Sequence, residues 1–420
     1  MRLSPAATAV LLLGIPLAIL LGGCQTTTDT ASGPVIATEA SNTLDGTEGM
    51  PLEDIKSLKP GARPPVTSVE AGWWMKLDNM EQKARTAGNR VRDPTLNKYV
   101  EQIVCRVAGA FCKDIRVYLV QVPHFNASMA PNGMMQVWTG LILRARNEAQ
   151  LAAVIGHEIG HYLRRHTLQR MRSVSNTADF MIFFQIGLAA AGVPVAGDVA
   201  QLIAMGALQA YGRDHEREAD RIGLELMTKA GYDPREASKV WAQIIAERDA
   251  QKDAPSASIF FASHPPSEER RETLAKLAEN RIGNVPSGEI GRERFLSKIG
   301  AFRERLLRDE MHVRKFDRAI FLIDSLINDG HRVGELHYYK GEIHRLRNDS
   351  EENDLEAAVT AYKNAVASDD APPIIYRSLG LVYGRQNKPD KSREAYRKYL
   401  ELVPNAVDRE FIRRLIARTS

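Results

Sequence analysis

The sequence predicts an α+β fold, mainly helical with a small β-sheet, followed by an all-α repeat domain. Three observations carry this expectation. Between Asn147 and Leu163 apolar residues recur at helical spacing. Two runs rich in Val, Ile, Tyr and Trp, Ile115 to Val122 and Met134 to Ile142, are joined through the turn signal Pro131-Asn132-Gly133. From about residue 290 the chain is charged, helical in pattern and free of strand signals. At about 150 residues per domain, the 420 residues allow two or three domains. With 44% hydrophobic and 26% charged residues the composition excludes collagen, bulk disorder and multi-span membrane architectures. A net charge of +4 with no basic block interleaved with aromatics argues against nucleic acid as a partner.

Residues 1–23 read as a signal peptide: Arg2 precedes an apolar stretch from Ala6 to Leu21, and small residues lead to a cysteine. The ending Leu21-Gly22-Gly23-Cys24 resembles the bacterial lipobox, which makes Cys24 the expected lipid anchor. Gln25 is not the Asp that holds lipoproteins at the inner membrane. The expected location is therefore periplasmic, lipid-anchored at the outer membrane. Residues 24–65 are rich in Thr, Gly, Pro and Ser and read as a flexible tether. Cys105 and Cys112 remain, and an exported chain would carry them into an oxidising compartment where a disulfide is favoured; the rival is two buried thiols.

With three cysteines in all, a four-Cys metal site is excluded, so any metal rests on His and carboxylates. The helix opened by Asn147 and Gln150, a capping-box pattern, is amphipathic in sequence and carries His157-Glu158-Ile159-Gly160-His161. Imidazoles four residues apart differ by about 40° around a helix, so His157 and His161 can point at one ion. Glu158 sits beside that ion without binding it, placed to take a proton from water and pass it to a leaving amine. A third ligand lies in Tyr211-Gly212-Arg213-Asp214-His215-Glu216-Arg217-Glu218-Ala219-Asp220. Glu216 would complete two His plus one Glu, the set that leaves a fourth position open. Asp220, one turn on, can accept a hydrogen bond from a ligating His. Ala219 and Gly223 leave a smooth strip for close helix packing. Glu218 lies about 200° away from Glu216 and is expected to face solvent, and His166 and His215 are expected at the surface.

The joint pattern H-E-x-x-H followed about fifty residues later by E-x-x-x-D resembles the zinc metallopeptidase family of HtpX and the CAAX prenyl endopeptidases, in particular the periplasmic BepA type with C-terminal tetratricopeptide repeats. The resemblance covers about residues 66 to 280. It implies a zincin-type domain over 66–285 holding one zinc through His157, His161 and Glu216, with Glu158 as general base and acid and Asp220 as the partner of a ligand. Relatives often carry Ser-Arg before the Glu ligand; here Gly212-Arg213 stands there, so Arg213 is carried over with less force. The resemblance also implies that a strand bordering the cleft pairs with extended peptide substrates, although the predicted hairpin can equally be structural. His264, on the Ser263-His264-Pro265-Pro266 loop, either occupies the open zinc position in a latent state, hydrogen-bonds the tetrahedral intermediate, or packs as an ordinary loop residue. Phe180 to Gly197 reads as a buried helix with a following loop, with a membrane-dipping or cleft-covering element as the alternative.

Residues 290–420 carry the repeat signal. Tyr376, Leu379-Gly380, Tyr383, Ser392, Tyr396 and Pro404 fall on tetratricopeptide positions of a 34-residue frame from Pro373. A degenerate unit runs through Gly341, Ala358, Tyr362 and Ala365, and a half-unit ends near Ala319 and Ile323. Such helix pairs stack on one another and offer a concave surface to a protein partner. Together these readings predict a zinc metalloendopeptidase of the envelope acting on misfolded or unassembled proteins. The rivals are a chaperone-like scaffold with a latent zinc site and a specific processing peptidase.

Overall fold

A computed structural model describes residues 58–173, 212–251, 260, 264, 268–282 and 288–418. The expected signal peptide, Cys24, most of the tether and the Phe180–Gly197 stretch lie outside the described residues. Of the expected tether, residues 58–65 are described. Leu58 is buried in the main core, and the Gly61 N–H donates to both carboxylate oxygens of Asp114 at 3.0 and 2.9 Å. One large apolar side chain is enough to pin a segment that composition alone marks as loose.

Helix α1 (Val69–Thr86) starts at Ser68, whose hydroxyl accepts from the Ala71 N–H. Helix α2 (Pro94–Ala108) starts at Asp93, which accepts from the Leu96 N–H, with Pro94 in the first turn where its missing N–H costs nothing. Its apolar face, including Leu96, Val100, Ile103 and Val107, is buried. The sulfurs of Cys105 and Cys112 are bonded to each other across the end of this helix.

The sheet departs from the expected hairpin. Strands β1 (Arg116–Val120), β2 (Ala127–Met129) and β3 (Met134–Trp138) lie in the order β1-β3-β2. β1 and β3 run parallel, with Arg116 beside Met134 and Val120 beside Trp138, while β2 runs antiparallel to β3. A parallel pair needs a crossover, and residues 121–133 supply it with β2 as one leg. The Pro131-Asn132-Gly133 turn therefore joins β2 to β3. Gly133 has φ +88° and sits so close to Asp114 that a Cβ would meet its carbonyl oxygen at 2.0 Å. The second run also stops sooner than expected. Residues from Thr139 form a short helix, α3 (Thr139–Arg144), where Gly140 donates to the Val122 carbonyl and turns the chain under the sheet.

Helix α4 (Glu148–Leu163) begins as anticipated, with Asn147 Oδ1 accepting from the Gln150 N–H at 2.9 Å. Gln150 reaches one residue further back than a capping box requires and accepts from the Arg146 N–H. The helix is not amphipathic in place, because every residue from Glu148 to Leu163 is buried. Glu148, at its start, is satisfied by the hydroxyls of Tyr99 and Tyr232 and by the Arg294 guanidinium. Helix α5 (His166–Ser173) follows a turn in which Arg165 adopts φ 55°. Helices α6 (Arg213–Lys229), α7 (Arg235–Asp249) and α8 (Glu268–Ile282) complete the layer around α4.

The C-terminal part consists of α9 (Arg292–His312), α10 (Phe316–Asn328), α11 (Val333–Arg347), α12 (Asp354–Val366), α13 (Ile375–Arg385), α14 (Pro389–Leu402) and α15 (Arg409–Arg418). α11 packs on α12 and α13 on α14 in the same way. Gly341 leaves room for the Tyr362 ring and Gly380 for the Tyr396 ring; a Cβ on either glycine would lie 2.4 Å from the ring. There is no break in the core near residue 290. Phe295, Leu306, Leu322, Ile323 and Leu336 belong to the same apolar cluster as Val100 of α2 and Ile155 of α4. Buried ion pairs tie the two parts as well: Arg144 meets Glu247 at 2.6 Å and Glu310 at 2.9 Å, and Glu310 also meets Arg318 at 2.8 Å.

Candidate active site

The site is built where α4 and α6 cross almost backbone to backbone. A Cβ on Gly223 would lie 2.6 Å from the His157 nitrogen, and one on Gly160 would lie 2.9 Å from the Ala219 carbonyl oxygen. The small-residue strip of α6 thus brings its first turns against the buried middle of α4. His157 and His161 project from α4 and Glu216 from α6, as the helical spacing requires.

His157 Nε2 and His161 Nε2 are 3.1 Å apart. Glu216 Oε1 lies 3.3 Å from His161 Nε2, and Glu216 Oε2 lies 3.5 Å from His157 Nε2. His264 joins them from its own loop: its Nδ1 is 3.2 Å from His157 Nε2 and 3.1 Å from Glu216 Oε1. All four side chains are buried and together could hold a metal ion. Five donor-to-donor separations run from 3.1 to 3.5 Å, with Glu216 facing His161 and His264 through Oε1 and His157 through Oε2. Buried imidazole nitrogens and a carboxylate gathered this closely are the donors that a divalent ion such as zinc takes. The donor set fits such an ion.

Around these donors sits a ring of buried charge. Asp220 Oδ1 lies 2.8 Å from His157 Nδ1. Arg270 donates to both Asp220 oxygens at 2.7 and 2.8 Å and stands 2.6 Å from Glu216 Oε2. Its guanidinium also covers the Trp241 ring. Burial by itself would raise both carboxyls. Arg270 and His157 hold Asp220 below the usual carboxylate range, and His264, His161 and His157 hold Glu216 well below it. Glu158 is fully buried, its oxygens accept no hydrogen bond among the described residues, and Oε1 lies 3.4 Å from His264 Nε2. Burial pushes its carboxyl up from the ordinary carboxylate value. Phe260 stacks on the His264 ring and on Trp241, holding the loop histidine from behind. A small recess beside His161 is lined in part by Leu58, Trp74, Met129, Tyr162 and Leu168.

Three expectations need correction. His166 is not at the surface: it is fully buried, with Nδ1 2.9 Å from His161 Nδ1, and burial pulls its imidazole down to about 4. Glu218 does not face open solvent but meets His166 Nε2 at 2.9 Å and Arg164 at 2.7 Å. His215 is half-buried and stacks on His166. Helical angles measured within α4 could not show this, because the turn at Arg165 breaks the helix between His161 and His166. Trp241 and Phe260 carry no sequence signal of their own. Glu225, a further carboxylate on the same helix, pairs with Lys229 and Arg281, and Arg213 is exposed.

Residues 91–278 match the model of Peptidase family M48. This segment carries the sequence pattern of that peptidase family. The matched span runs from α2 to α8 and contains all four donors. The chain is similar to the mitochondrial metalloendopeptidase OMA1 of Schizosaccharomyces pombe, at 30% identity over 199 residues, 46% of this chain and 55% of that protein. The beta-barrel assembly-enhancing protease of Escherichia coli (strain K12) is 25% identical over 257 residues, 58% of this chain and 52% of that one. The beta-barrel assembly-enhancing protease of Yersinia pestis is 22% identical over 369 residues, 77% and 72% of the two chains. The chain spans about half the length of the first two relatives. Among the described residues, no helix is long and apolar enough to cross a membrane.

Proposed function

We propose that the chain is a zinc-dependent metalloendopeptidase of the bacterial cell envelope that hydrolyses misfolded or unassembled envelope proteins. What carries the reading is the buried donor set of His157, His161 and Glu216, with Glu158 beside it and its oxygens accepting no hydrogen bond among the described residues. A zinc ion held by these residues would supply Lewis acidity. Glu158 is the group placed to accept a proton from an attacking water and hand it to the departing amine. Asp220 keeps the proton of His157 on Nδ1, leaving Nε2 to face the ion. Arg270 anchors Asp220 and Glu216, so that two buried carboxylates remain ionised. Strand β2, at the sheet edge and alongside α4, offers backbone groups to an extended peptide, which suits cleavage with loose side-chain preference.

His264 takes the fourth position at rest and must leave for a substrate to enter. The seating of its Nδ1 at ligand distance favours a latent enzyme, and it is also the observation that favours the second reading, a chaperone-like scaffold for outer-membrane protein assembly. In the full proposal residues 1–23 are a signal peptide, Cys24 is the lipid anchor, and 24–65 form the tether. Residues 66–285 are catalytic, and 290–420 are tetratricopeptide repeats that recruit a protein partner. The bond between Cys105 and Cys112 supports an oxidising compartment. The names of the beta-barrel assembly-enhancing relatives support a link to barrel assembly.

Glu158→Gln decides between enzyme and scaffold. Casein cleavage should fall by about 10²- to 10⁴-fold with zinc content unchanged. Equal cleavage by the variant would sink the enzymatic reading. His264→Ala should raise basal cleavage; an unchanged rate and an unchanged zinc affinity would remove the latent position.

A further inference from the structure

Three of the four carboxylates in the first turns of α6 have three different destinations. Glu216 faces the donor set, Asp220 faces His157, and Glu218, between them in sequence, turns to the other flank of the helix and meets His166. The chain reverses at Arg165, which adopts φ 55°, and α5 returns beneath His161. His161 Nδ1 and His166 Nδ1 are 2.9 Å apart, and His166 Nε2 and Glu218 Oε2 are 2.9 Å apart. Arg164 meets the other Glu218 oxygen at 2.7 Å, and the His215 ring stacks on His166 with centroids 4.1 Å apart.

The order of protons along this line is set by its ends. His161 turns Nε2 towards His157 and Glu216, so on the metal reading that nitrogen carries a lone pair and Nδ1 carries the proton. His166 Nδ1 must then accept, which puts the proton of His166 on Nε2, from where it donates to the Glu218 carboxylate. The sequence carboxylate, imidazole, imidazole is satisfied by one tautomer of each ring. It is also fully used: the end oxygens of Glu218 are taken by His166 and Arg164.

Resting on the metalloprotease reading, we propose that His166 and Glu218 are positioning residues for the metal site, fixing the tautomer and ring orientation of His161 as Asp220 does for His157. The two ligating histidines are thus oriented from the same helix by two different devices. Asp220 acts on His157 by direct contact, whereas Glu218 acts on His161 through an interposed ring. The difference follows from geometry. His157 lies over the α6 face that bears Asp220, whereas His161, one turn further along α4, presents Nδ1 to α5, and only a ring as long as imidazole spans the gap to Glu218.

The test compares wild type, His166→Phe, His166→Asn and Glu218→Gln in the full chain. Zinc affinity is measured by chelator competition, the melting temperature is measured without metal, and ¹⁵N shifts of His161 are recorded in selectively labelled metal-free protein. Phe keeps the stack on His215 but removes both nitrogens, so His166→Phe should bind zinc about 10- to 100-fold more weakly. Asn places an acceptor near the position of Nδ1, so His166→Asn should recover affinity to within a few-fold of wild type. Glu218→Gln should fall between the two. The His161 shifts should report a proton held on Nδ1 in wild type and a mixture of tautomers in His166→Phe. Zinc affinity equal to wild type in His166→Phe overturns the positioning role and leaves the metal site standing. So does an equal loss in His166→Phe and His166→Asn that tracks a lowered metal-free melting temperature, since packing alone would then explain it. Wild-type protein that takes up no zinc overturns the metalloprotease reading and the positioning role together.

Discussion

Gly223→Ala is the smallest change that should separate the two helices of the site. A Cβ at this position would lie 2.6 Å from the His157 nitrogen, 2.8 Å from the Gly156 carbonyl carbon and 2.9 Å from the His157 Cα. All three are backbone atoms of a buried helix, so no side chain can swing aside. Ordinary contact needs about 3.4 Å or more, so α6 must retreat from α4 by roughly 0.8 Å. Glu216 lies seven residues, or about 10 Å, up the same rigid helix and moves with it. A shift of that size would carry Glu216 away from its 3.3 Å separation from His161 Nε2 and its 3.1 Å separation from His264 Nδ1, so that one of the four donors no longer converges with the rest. Overpacking should cost about 1–3 kcal/mol, of which alanine's better helix propensity returns up to about 1 kcal/mol. Zinc affinity should fall by about 10²-fold or more, since a ligand is displaced outright. The assays are urea unfolding of the metal-free protein and chelator competition. Gly72→Ala on α1, where nothing lies within 4 Å of an added Cβ, is the control and should be neutral or slightly stabilising. Zinc affinity within two-fold of wild type in Gly223→Ala, with unchanged urea midpoint, would refute the idea that close approach of the helices sets the donor geometry.

Other outcomes follow from the same contacts. Glu81 is held by Arg116 at 2.7 and 2.6 Å and by the Tyr118 hydroxyl at 2.7 Å, and although burial opposes it these partners bring its carboxyl from 4.5 to about 2. Because the folded value is the lower one, its contribution is present above about pH 4.5 and is lost as pH falls towards 2. Glu81→Gln should flatten the decline of the urea midpoint over that window, removing about 1–2 kcal/mol after solvent screening, and an unchanged slope would contradict this. Arg270→Met leaves Asp220 and Glu216 buried without their shared cation and should cost about 3–5 kcal/mol in metal-free urea unfolding; a loss under 1 kcal/mol would mean the two acids are otherwise compensated. Stripping zinc with a chelator should lower the melting temperature and re-addition should restore it, by about 4 kcal/mol at a thousand-fold excess over Kd; a melt indifferent to metal would refute the donor set as a binding site.

The parts of the site that could be read from sequence are those fixed within a single helix. His157 with His161 and Glu216 with Asp220 are each one turn apart, and a helix converts that spacing into a shared face whatever surrounds it. The cap at Asn147 was legible for the same reason, being a local exchange between a side chain and the next turn. The parallel pairing of β1 with β3 was not, because apolar strands of either direction look alike and the turn residues before Met134 serve β2 instead. The burial of α4 on every side was hidden by its own polar groups: Glu148 and Gln150 read as solvent-facing until partners from distant segments satisfy them. His166 and Glu218 escaped because their meeting depends on a non-glycine residue adopting positive φ at Arg165, for which the sequence carries no mark.

The shared core of the catalytic and C-terminal parts bears on how such an enzyme can be cut or recombined. Arg144 finds both its counterions only when α7 and α9 are present together. A chain ended near residue 285 would strand that guanidinium with half its neutralising charge and bare the apolar side chains that face Phe295, Leu306 and Leu322. The first C-terminal helices are therefore a wall of the shared core and not a detachable unit. Swapping them for those of a relative would require transplanting α9, α10 and α11 whole, with only α12 onward free to vary.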